Sequence, residues 1–269
     1  MPNWLEGEIH VHGIRLRYYR TGGDKPPLVL AHGWTNSGLC WTQTALALEA
    51  DYDVIMYDAR GHGQSEPLVG RFGEAERADD LIGLIEVLGL KRPGLMGHSM
   101  GAATVAAVAV QRSDLPAYVI LEDPPWYDSA EGRAARNARN ETWMEWVRSV
   151  RHKTREAALE EYRRDYPQWS EQTLNLRLDA FLQMDLRVLT DIQWDLPPWR
   201  ELVQKIQCPG LLIIGEPERE GIVSPAMAQE AVTLWQSGRW AQIAGAGHNV
   251  RYDQFEAYFE VVKGFLENQ

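Results

Sequence analysis

One stretch of the sequence, Gly97-His98-Ser99-Met100-Gly101, fits the pattern G-x-S-x-G, in which a sharp turn presents a serine side chain. The apolar pair Leu95-Met96 comes before it and a segment rich in Ala and Val follows it, which predicts a strand, a turn and a helix in succession. Such a turn strains the serine backbone, and the glycines two positions to either side leave room for it. We therefore expect Ser99 to be a catalytic nucleophile.

A serine hydroxyl is a weak nucleophile until a base removes its proton, and histidine is the usual base. The sequence contains seven histidines. His248 is the best placed of them, because it follows the strand-like segment Trp240–Ile243 and precedes the last predicted helix. This position puts it on a loop at the same edge of the sheet as Ser99. We expect His248 to act as the base.

Attack by Ser99 on a carbonyl group would place a negative charge on the carbonyl oxygen, which two backbone N–H groups can stabilise. Met100, the residue after the nucleophile, is expected to provide one of these donors. Trp34 is expected to provide the second, because the loop His32-Gly33-Trp34 follows the predicted strand Leu28–Ala31. Gly33 is expected to border the substrate pocket beside them.

Four motifs together resemble the α/β-hydrolase superfamily, and they span nearly the whole predicted core. They are His32-Gly33-Trp34, Asp58-Ala59-Arg60-Gly61-His62-Gly63-Gln64-Ser65, Gly97-His98-Ser99-Met100-Gly101 and Gly247-His248. The resemblance implies an α/β-hydrolase fold, with a mostly parallel eight-stranded sheet flanked by helices. It also implies a triad of serine, histidine and an acid that needs no cofactor or metal. Because this superfamily hosts many reactions, the resemblance does not define the substrate.

The acid of the triad is open between several residues. Most members of the superfamily place an aspartate just past the strand that follows the cap, but the corresponding segment here, Gly215–Pro225, has none. Counting forward through it selects Glu218, and counting back selects Glu220. A minority, which includes haloalkane dehalogenases and some lactonases, places the acid after the strand before the cap, where Asp123 lies. We favour Asp123, with Glu218 as the main alternative and Glu122 as a competitor at the same strand end.

Short apolar runs alternate with helix-like stretches along most of the chain, which indicates a mainly parallel sheet with helices on both faces. Residues 126–199 break this alternation, because they contain no convincing strand and are rich in Arg, Glu and Trp. We interpret residues 1–125 and 200–269 as the α/β-hydrolase core, and residues 126–199 as a helical cap. Most cap tryptophans are expected to pack the cap onto the core, and Trp126 is expected to line the substrate pocket.

The composition disfavours several other classes of protein. The formal net charge of −11 disfavours binding to nucleic acid or to an anionic membrane. The two cysteines, Cys40 and Cys208, have no metal-ligand spacing, so the sequence predicts neither a disulfide framework nor a metal site. A polar amino-terminal stretch and the lack of any long apolar run predict a cytoplasmic protein. The sequence does not define its oligomeric state.

These residues predict a serine hydrolase that cleaves a carboxylic ester or lactone of a small, moderately apolar substrate through an acyl-enzyme. Other reactions of the same triad stay open, namely C–C bond hydrolysis, cofactor-free perhydrolysis and acyl transfer. Epoxide and haloalkane chemistry is disfavoured, because the similar proteins that perform it need an aspartate where Ser99 stands. The alternative outside enzymes is a ligand receptor that keeps the hydrolase fold.

Overall fold

Residues 4–127, 141–193 and 197–269 are described by the computed structural model of the protein. Its strands are β1 (Leu5–Val11), β2 (Ile14–Arg20), β3 (Pro27–Ala31), β4 (Asp53–Tyr57), β5 (Gly94–His98), β6 (Val119–Glu122), β7 (Gly210–Ile214) and β8 (Gly238–Gln242). They form one eight-stranded sheet in the order β1-β2-β4-β3-β5-β6-β7-β8. β2 pairs antiparallel with β1 and with β4, and all the other pairs are parallel. The predicted α/β-hydrolase fold is confirmed.

Helices cover both faces of this sheet. They are α1 (Thr42–Leu48), α2 (Glu74–Val87), α3 (Met100–Gln111), α4 (the helical residues 141–150), α5 (Arg155–Asp165), α6 (Glu171–Gln183), α7 (Arg187–Asp191), α8 (Trp199–Val203), α9 (Pro225–Leu234), α10 (Val250–Asp253) and α11 (Phe255–Leu266). Two 3-10 turns, Gly38–Trp41 and Pro217–Arg219, complete the set. Among the described residues, no helix is long and apolar enough to cross a membrane.

The central strands read as continuous apolar runs because both of their faces are covered. In β3, Leu28 and Leu30 pack in one hydrophobic cluster with residues of α1 and α11, whereas Val29 and Ala31 pack in a second cluster with residues of α2 and α3. Alternate side chains of a strand point to opposite faces, so each strand contributes to both clusters. This double core fixes the strand ends that carry the candidate site.

The described residues between β6 and β7 are mainly helical. Apart from one isolated bridge between Ile192 and Phe72, these described residues contain no strand. Aromatic rings pack α4 against the helices that follow it, with centroids 5.0 Å apart for Trp146 and Tyr162 and 5.3 Å apart for Trp146 and Phe181. Residues 128–140 and 194–196, which the predicted cap includes, lie outside the described residues. We refer to the described residues 141–193 as the insertion.

The residue pattern of Tyr252–Leu266 predicts one continuous final helix, but the structure divides this part of the chain between two helices. Gln254 has φ −143° and ψ 66°, which lies outside the helical region and separates α10 from α11. The break directs α11 along the sheet, where it buries Tyr258 and Val262. The short helix α10 stays beside the loop that carries His248.

Candidate active site

The candidate site lies where neighbouring parallel strands end. Ser99 follows β5, and Asp123 follows β6, whose last residue Glu122 is paired with His98. His248 lies on the loop between β8 and α10. Because the carboxyl ends of parallel strands meet at one edge of the sheet, the topology brings these three residues together.

The turn at Ser99 is strained and tightly packed. Ser99 has φ 52° and ψ −116°, a conformation that is rare for a residue with a side chain. A Cβ atom at position 101 would overlap the carbonyl oxygen of Ala31, and one at position 97 would overlap the carbonyl oxygen of Gly101. The backbone N–H of Ser99 donates a 2.9 Å hydrogen bond to the carbonyl oxygen of Glu122. The two glycines are therefore required by close backbone contacts, which hold the serine at the strand end.

Hydrogen bonds connect Ser99, His248 and Asp123 in series. The His248 Nε2 atom lies 3.0 Å from the Ser99 Oγ atom, and its Nδ1 atom lies 2.6 Å from the Asp123 Oδ2 atom. With Asp123 ionised, the imidazole carries its proton on Nδ1, so Nε2 is free to accept the serine proton. Asp123 is fully buried. The series has the bonding order of a serine hydrolase triad.

The Asp123 carboxylate is also held by the loop after β7. The backbone N–H groups of Ile222 and Val223 donate to it, at 2.9 Å to Oδ2 and 3.0 Å to Oδ1 respectively. The 3-10 turn of the same loop contains Glu218, which is exposed and makes no hydrogen bond to His248 among the described residues. In most of the superfamily this loop carries the acid itself. Here it supplies N–H donors to an acid that follows the neighbouring strand, β6.

Glu122 and Glu220 occupy other positions. Glu122 is fully buried and forms a 2.9 Å ion pair with Arg251, which lies three residues after His248. Burial raises the pKa of the Glu122 carboxyl, and the adjacent Arg251 guanidinium opposes this shift. Glu220 is exposed and lines the cavity described below. The ion pair of Glu122 therefore connects the end of β6 to α10, the helix that follows the His248 loop.

Two further histidines act as structural supports. His32 accepts a 3.0 Å hydrogen bond from the Ala59 backbone N–H at Nε2, so its Nδ1–H donates to the Gly33 carbonyl oxygen, at 2.8 Å. The His98 Nε2 atom lies 2.9 Å from the His248 carbonyl oxygen. Burial lowers the pKa of both His32 and His98 well below the ordinary value. Both rings therefore stay neutral, and neither competes with His248 as a base.

The two residues expected as oxyanion donors flank the nucleophile. Met100 is the first residue of α3, where backbone N–H groups have no partner within the helix. Trp34 lines the cavity, and its indole Nε1–H donates a 3.2 Å hydrogen bond to the Val188 carbonyl oxygen in the insertion. Gly33, in contrast, does not line the cavity. A Cβ atom there would lie 2.6 Å from the His98 Nδ1 atom, so this glycine permits close packing behind the site.

A cavity of about 500 Å³ lies between the strand ends and the insertion. This volume suits a small organic ligand. Its lining residues are Trp34, Thr35, Asn36, His98, Ser99, Pro125, Tyr127, Thr142, Trp143, Trp146, Asp165, Tyr166, Arg177, Glu220, Ile222, His248 and Asn249. Trp126, expected in the pocket, is buried instead and stacks on Trp199 with ring centroids 5.3 Å apart. Its indole therefore packs against α8, the helix that begins at Trp199.

Two residues for which the sequence predicts no role, Asn36 and Arg177, also line the cavity. Arg177 lies on α6 in an apolar stripe with Leu174, Leu178 and Phe181, all of them buried. An arginine within the i, i+3, i+4, i+7 stripe of an amphipathic helix is a sequence signal that could have identified it. Among the described residues, no cluster of His, Cys, Asp and Glu side chains could hold a metal ion.

A serine held at the end of a parallel strand and bonded to a histidine and an aspartate is characteristic of the α/β-hydrolase class. The chain belongs to the alpha/beta hydrolase family, whose sequence model matches residues 28–261. It is 28% identical to N-formylmaleamate deformylase of Pseudomonas putida KT2440, over 97% of this chain and 96% of that protein.

Two solved structures are similar to the whole chain. One is the N-formylmaleamic acid deformylase of Pseudomonas putida S16, with a TM-score of 0.79, 21% identity and coverage of 96% of this chain and 100% of the other. The other is the enol-lactonase of Burkholderia xenovorans LB400, with a TM-score of 0.77, 24% identity and coverage of 97% and 100%. At these identities the likeness shows the fold.

Proposed function

We propose that the protein hydrolyses an acyl bond of a small molecule through an acyl-enzyme on Ser99, with carboxylic esters and lactones as its substrates. The observation that supports this most directly is the unbroken series from Ser99 Oγ through the His248 ring to Asp123, with steps of 3.0 Å and 2.6 Å. The serine and histidine of this series line a cavity of about 500 Å³, where a carbonyl group can reach them.

In the first half of the reaction, Ser99 Oγ attacks the carbonyl carbon and its proton passes to His248 Nε2. The buried Asp123 carboxylate stabilises the imidazolium that forms. The backbone N–H groups of Trp34 and Met100 stabilise the oxyanion. Collapse of the tetrahedral intermediate breaks the bond to the leaving group, which takes the proton from His248 and leaves the acyl group on Ser99.

In the second half, a water molecule gives a proton to His248 and attacks the acyl carbonyl carbon. The new tetrahedral intermediate breaks its bond to Ser99 Oγ, which takes the proton back from His248. The carboxylic acid is released and the serine is restored. Every proton removed in one half-reaction is returned in it, so the residues present are sufficient for the cycle.

The insertion contributes the wall of the cavity opposite the triad, through residues such as Trp143, Trp146 and Tyr166. We propose that it acts as the cap of the enzyme. Aromatic side chains on this wall favour a partly apolar substrate, and the volume excludes a polymer segment of several residues.

A second candidate reaction is cleavage of an N-acyl amide. It is favoured by the relative named for deformylation of N-formylmaleamate, which is 28% identical over 97% of this chain. The steps are the same, except that His248 delivers its proton to a nitrogen leaving group. The name describes the relative. For this protein, a comparison of ester and amide substrates distinguishes oxygen from nitrogen leaving groups.

A panel of matched substrates tests the proposal. Wild type and Ser99→Ala would be assayed with 4-nitrophenyl acetate, dihydrocoumarin and 4-nitroformanilide, as ester, lactone and amide. Ser237→Ala is the control, because Ser237 is exposed. We expect wild type and the control to turn over at least one substrate, and Ser99→Ala to lose about 10³-fold or more in kcat. A wild-type protein that cleaves none of them, or full activity in Ser99→Ala, would contradict the proposal and favour a ligand receptor.

A further inference from the structure

Arg177 is a buried cation on the wall of the cavity. Its side chain projects from α6 and is only 5% exposed. Nη1 donates a hydrogen bond to the Asn36 Oδ1 atom, and Nε is buried without any hydrogen-bond partner among the described residues. Its Cζ atom lies 5.0 Å from the centroid of the Phe181 ring, against which the guanidinium packs. The guanidinium is therefore held in place but not neutralised.

The other buried arginines of the described residues are all neutralised by buried carboxylates. Arg60 pairs with Asp80 at 2.6 Å, Arg77 with Glu74 at 2.9 Å, and Arg251 with Glu122 at 2.9 Å. Removing a guanidinium from water is costly unless an anion compensates for the lost hydration. Arg177 differs from these three because no carboxylate of the described residues lies within ion-pair distance of it.

The two acidic residues on the cavity wall do not fill this role. Asp165 is about half exposed and pairs with Arg164, and Glu220 is exposed. Neither forms an ion pair with Arg177 among the described residues. No other lysine or arginine lines the cavity within the described part of the chain. The cavity thus combines one inward-facing cation with carboxylates nearer to solvent.

We propose that Arg177, oriented by Asn36, binds a carboxylate group of the substrate while Ser99 attacks the acyl carbonyl of the same molecule. This inference rests on the proposed function and specifies its substrate class: a small acyl compound that carries one free carboxylate. A planar guanidinium matches a carboxylate with two parallel N–H···O bonds. A phosphate, with its higher charge, would lack a second cation here and would be repelled by Asp165 and Glu220.

Position and charge agree with this assignment. Arg177 and Ser99 line the same cavity of about 500 Å³, so a small molecule can contact both at once. Asn36 lies four residues after His32, on the loop that also carries Trp34, so the anchor and the oxyanion donors share one support. Burial, Arg251 and His248 lower the pKa of His98, the neighbour of Ser99, and the positive charge of Arg177 adds a smaller contribution in the same direction.

Two substrates that differ only in charge test the inference. Hydrolysis of 4-acetoxybenzoate and of its neutral amide, 4-acetoxybenzamide, would be measured with each variant, and the ratio of the two kcat/KM values is the readout. We expect wild type to prefer the carboxylate by about 10- to 100-fold, the range of hydrogen bonds to charged groups. Arg177→Gln should reduce this ratio to near one, whereas Arg155→Gln, at an exposed arginine of α5, should keep it.

Asn36→Asp gives a second test that keeps the arginine. It would place a carboxylate beside Arg177, so we expect the preference for 4-acetoxybenzoate to fall by at least tenfold. A wild-type ratio near one, or an unchanged ratio in both Arg177→Gln and Asn36→Asp, would overturn the inference while the proposed function stands.

Binding separates the two proposals when turnover is absent. Titration of Ser99→Ala protein with benzoate, benzamide and inorganic phosphate, followed by calorimetry, needs no catalysis. Benzoate bound at least tenfold more tightly than the other two supports the carboxylate site, even if no ester is cleaved. Equal binding of benzoate and benzamide, or tighter binding of phosphate, overturns it.

Discussion

Replacement of Asp123 by asparagine should disable the triad without changing its shape. In the wild type, Oδ2 accepts the Nδ1–H of His248 at 2.6 Å, and Oδ1 accepts the Val223 N–H at 3.0 Å. Asparagine keeps one oxygen and replaces the other with an NH₂ group. If the oxygen stays at the Oδ1 position, it can accept from the N–H groups of both Val223 and Ile222, at 3.0 and 3.2 Å, so the NH₂ group faces His248 and forces its proton onto Nε2. The base can then no longer accept the proton of Ser99.

The opposite orientation of the asparagine is disfavoured by the loop after β7. It would turn the NH₂ group towards the Val223 N–H and leave that buried donor unsatisfied, at a cost of about 1–3 kcal/mol. The wrong tautomer of His248 therefore dominates, and the imidazolium also loses its counter-ion. We expect kcat to fall by about 10³- to 10⁴-fold, or about 4–5.5 kcal/mol of transition-state stabilisation. The folded structure should be retained.

The assay is steady-state hydrolysis of 4-nitrophenyl acetate, with thermal unfolding measured on the same samples. Glu218→Gln is the matched control, because Glu218 is exposed on the loop that usually carries the acid. We expect its kcat to stay within twofold of the wild type. A folded Asp123→Asn protein within tenfold of wild-type kcat, or a loss of 100-fold or more in Glu218→Gln, would refute the assignment of Asp123.

Three further predictions concern the support of the site. Gly101→Ala should lower activity at least 100-fold, because its Cβ atom would overlap backbone, whereas Gly264→Ala, where nothing lies within 4 Å, should be harmless; equal activities would contradict this. Burial lowers the pKa of His62 from 6.5 to about 4, so the unfolded chain binds a proton that the folded chain rejects between these values. The free energy of unfolding should therefore fall as pH falls through this window, by about 3 kcal/mol from His62 alone. Denaturant titrations at several pH values test this through the difference in slope between wild type and His62→Gln, because buried Asp58, with its pKa raised to about 6, contributes a slope of opposite sign in both proteins; an equal slope in the two proteins would be inconsistent with a neutral buried ring. Trp126→Ala should lower the free energy of unfolding by about 3–5 kcal/mol with little change in KM, because its indole is buried away from the cavity. A large change in KM with little loss of stability would instead indicate that Trp126 lines the pocket.

Much of the fold could be predicted from local signals. The apolar runs set the strands of the central sheet, since a strand covered on both faces needs an apolar side chain at nearly every position. The sequence pattern predicts a strand over Asp53–Tyr57 and a helix over Met100–Gln111, and β4 and α3 have these same bounds. The positions of Ser99 and His248 follow from the same signals, because each lies between a strand and the helix that follows it.

The acid and the substrate anchor depend on packing between distant segments, which local patterns do not encode. Asp123 and Glu218 follow neighbouring strands, and only the path of the loop decides which carboxylate reaches His248. The apolar stripe of α6 indicates that Arg177 faces the protein, but its hydrogen bond to Asn36 forms only when α6 packs against the loop that carries Asn36. Trp126 likewise stacks on Trp199, 73 positions further along the chain (199 − 126).

We expect Ser99 to carry the acyl group during turnover. Wild-type protein mixed with 4-nitrophenyl acetate and quenched in acid within milliseconds would be digested and analysed by mass spectrometry. We predict one acetyl group on the peptide that contains Ser99, formed together with a burst of one equivalent of 4-nitrophenol, and neither signal in Ser99→Ala. One acetyl group per protein on another residue, or steady hydrolysis that persists in Ser99→Ala, would contradict an acyl-enzyme on Ser99.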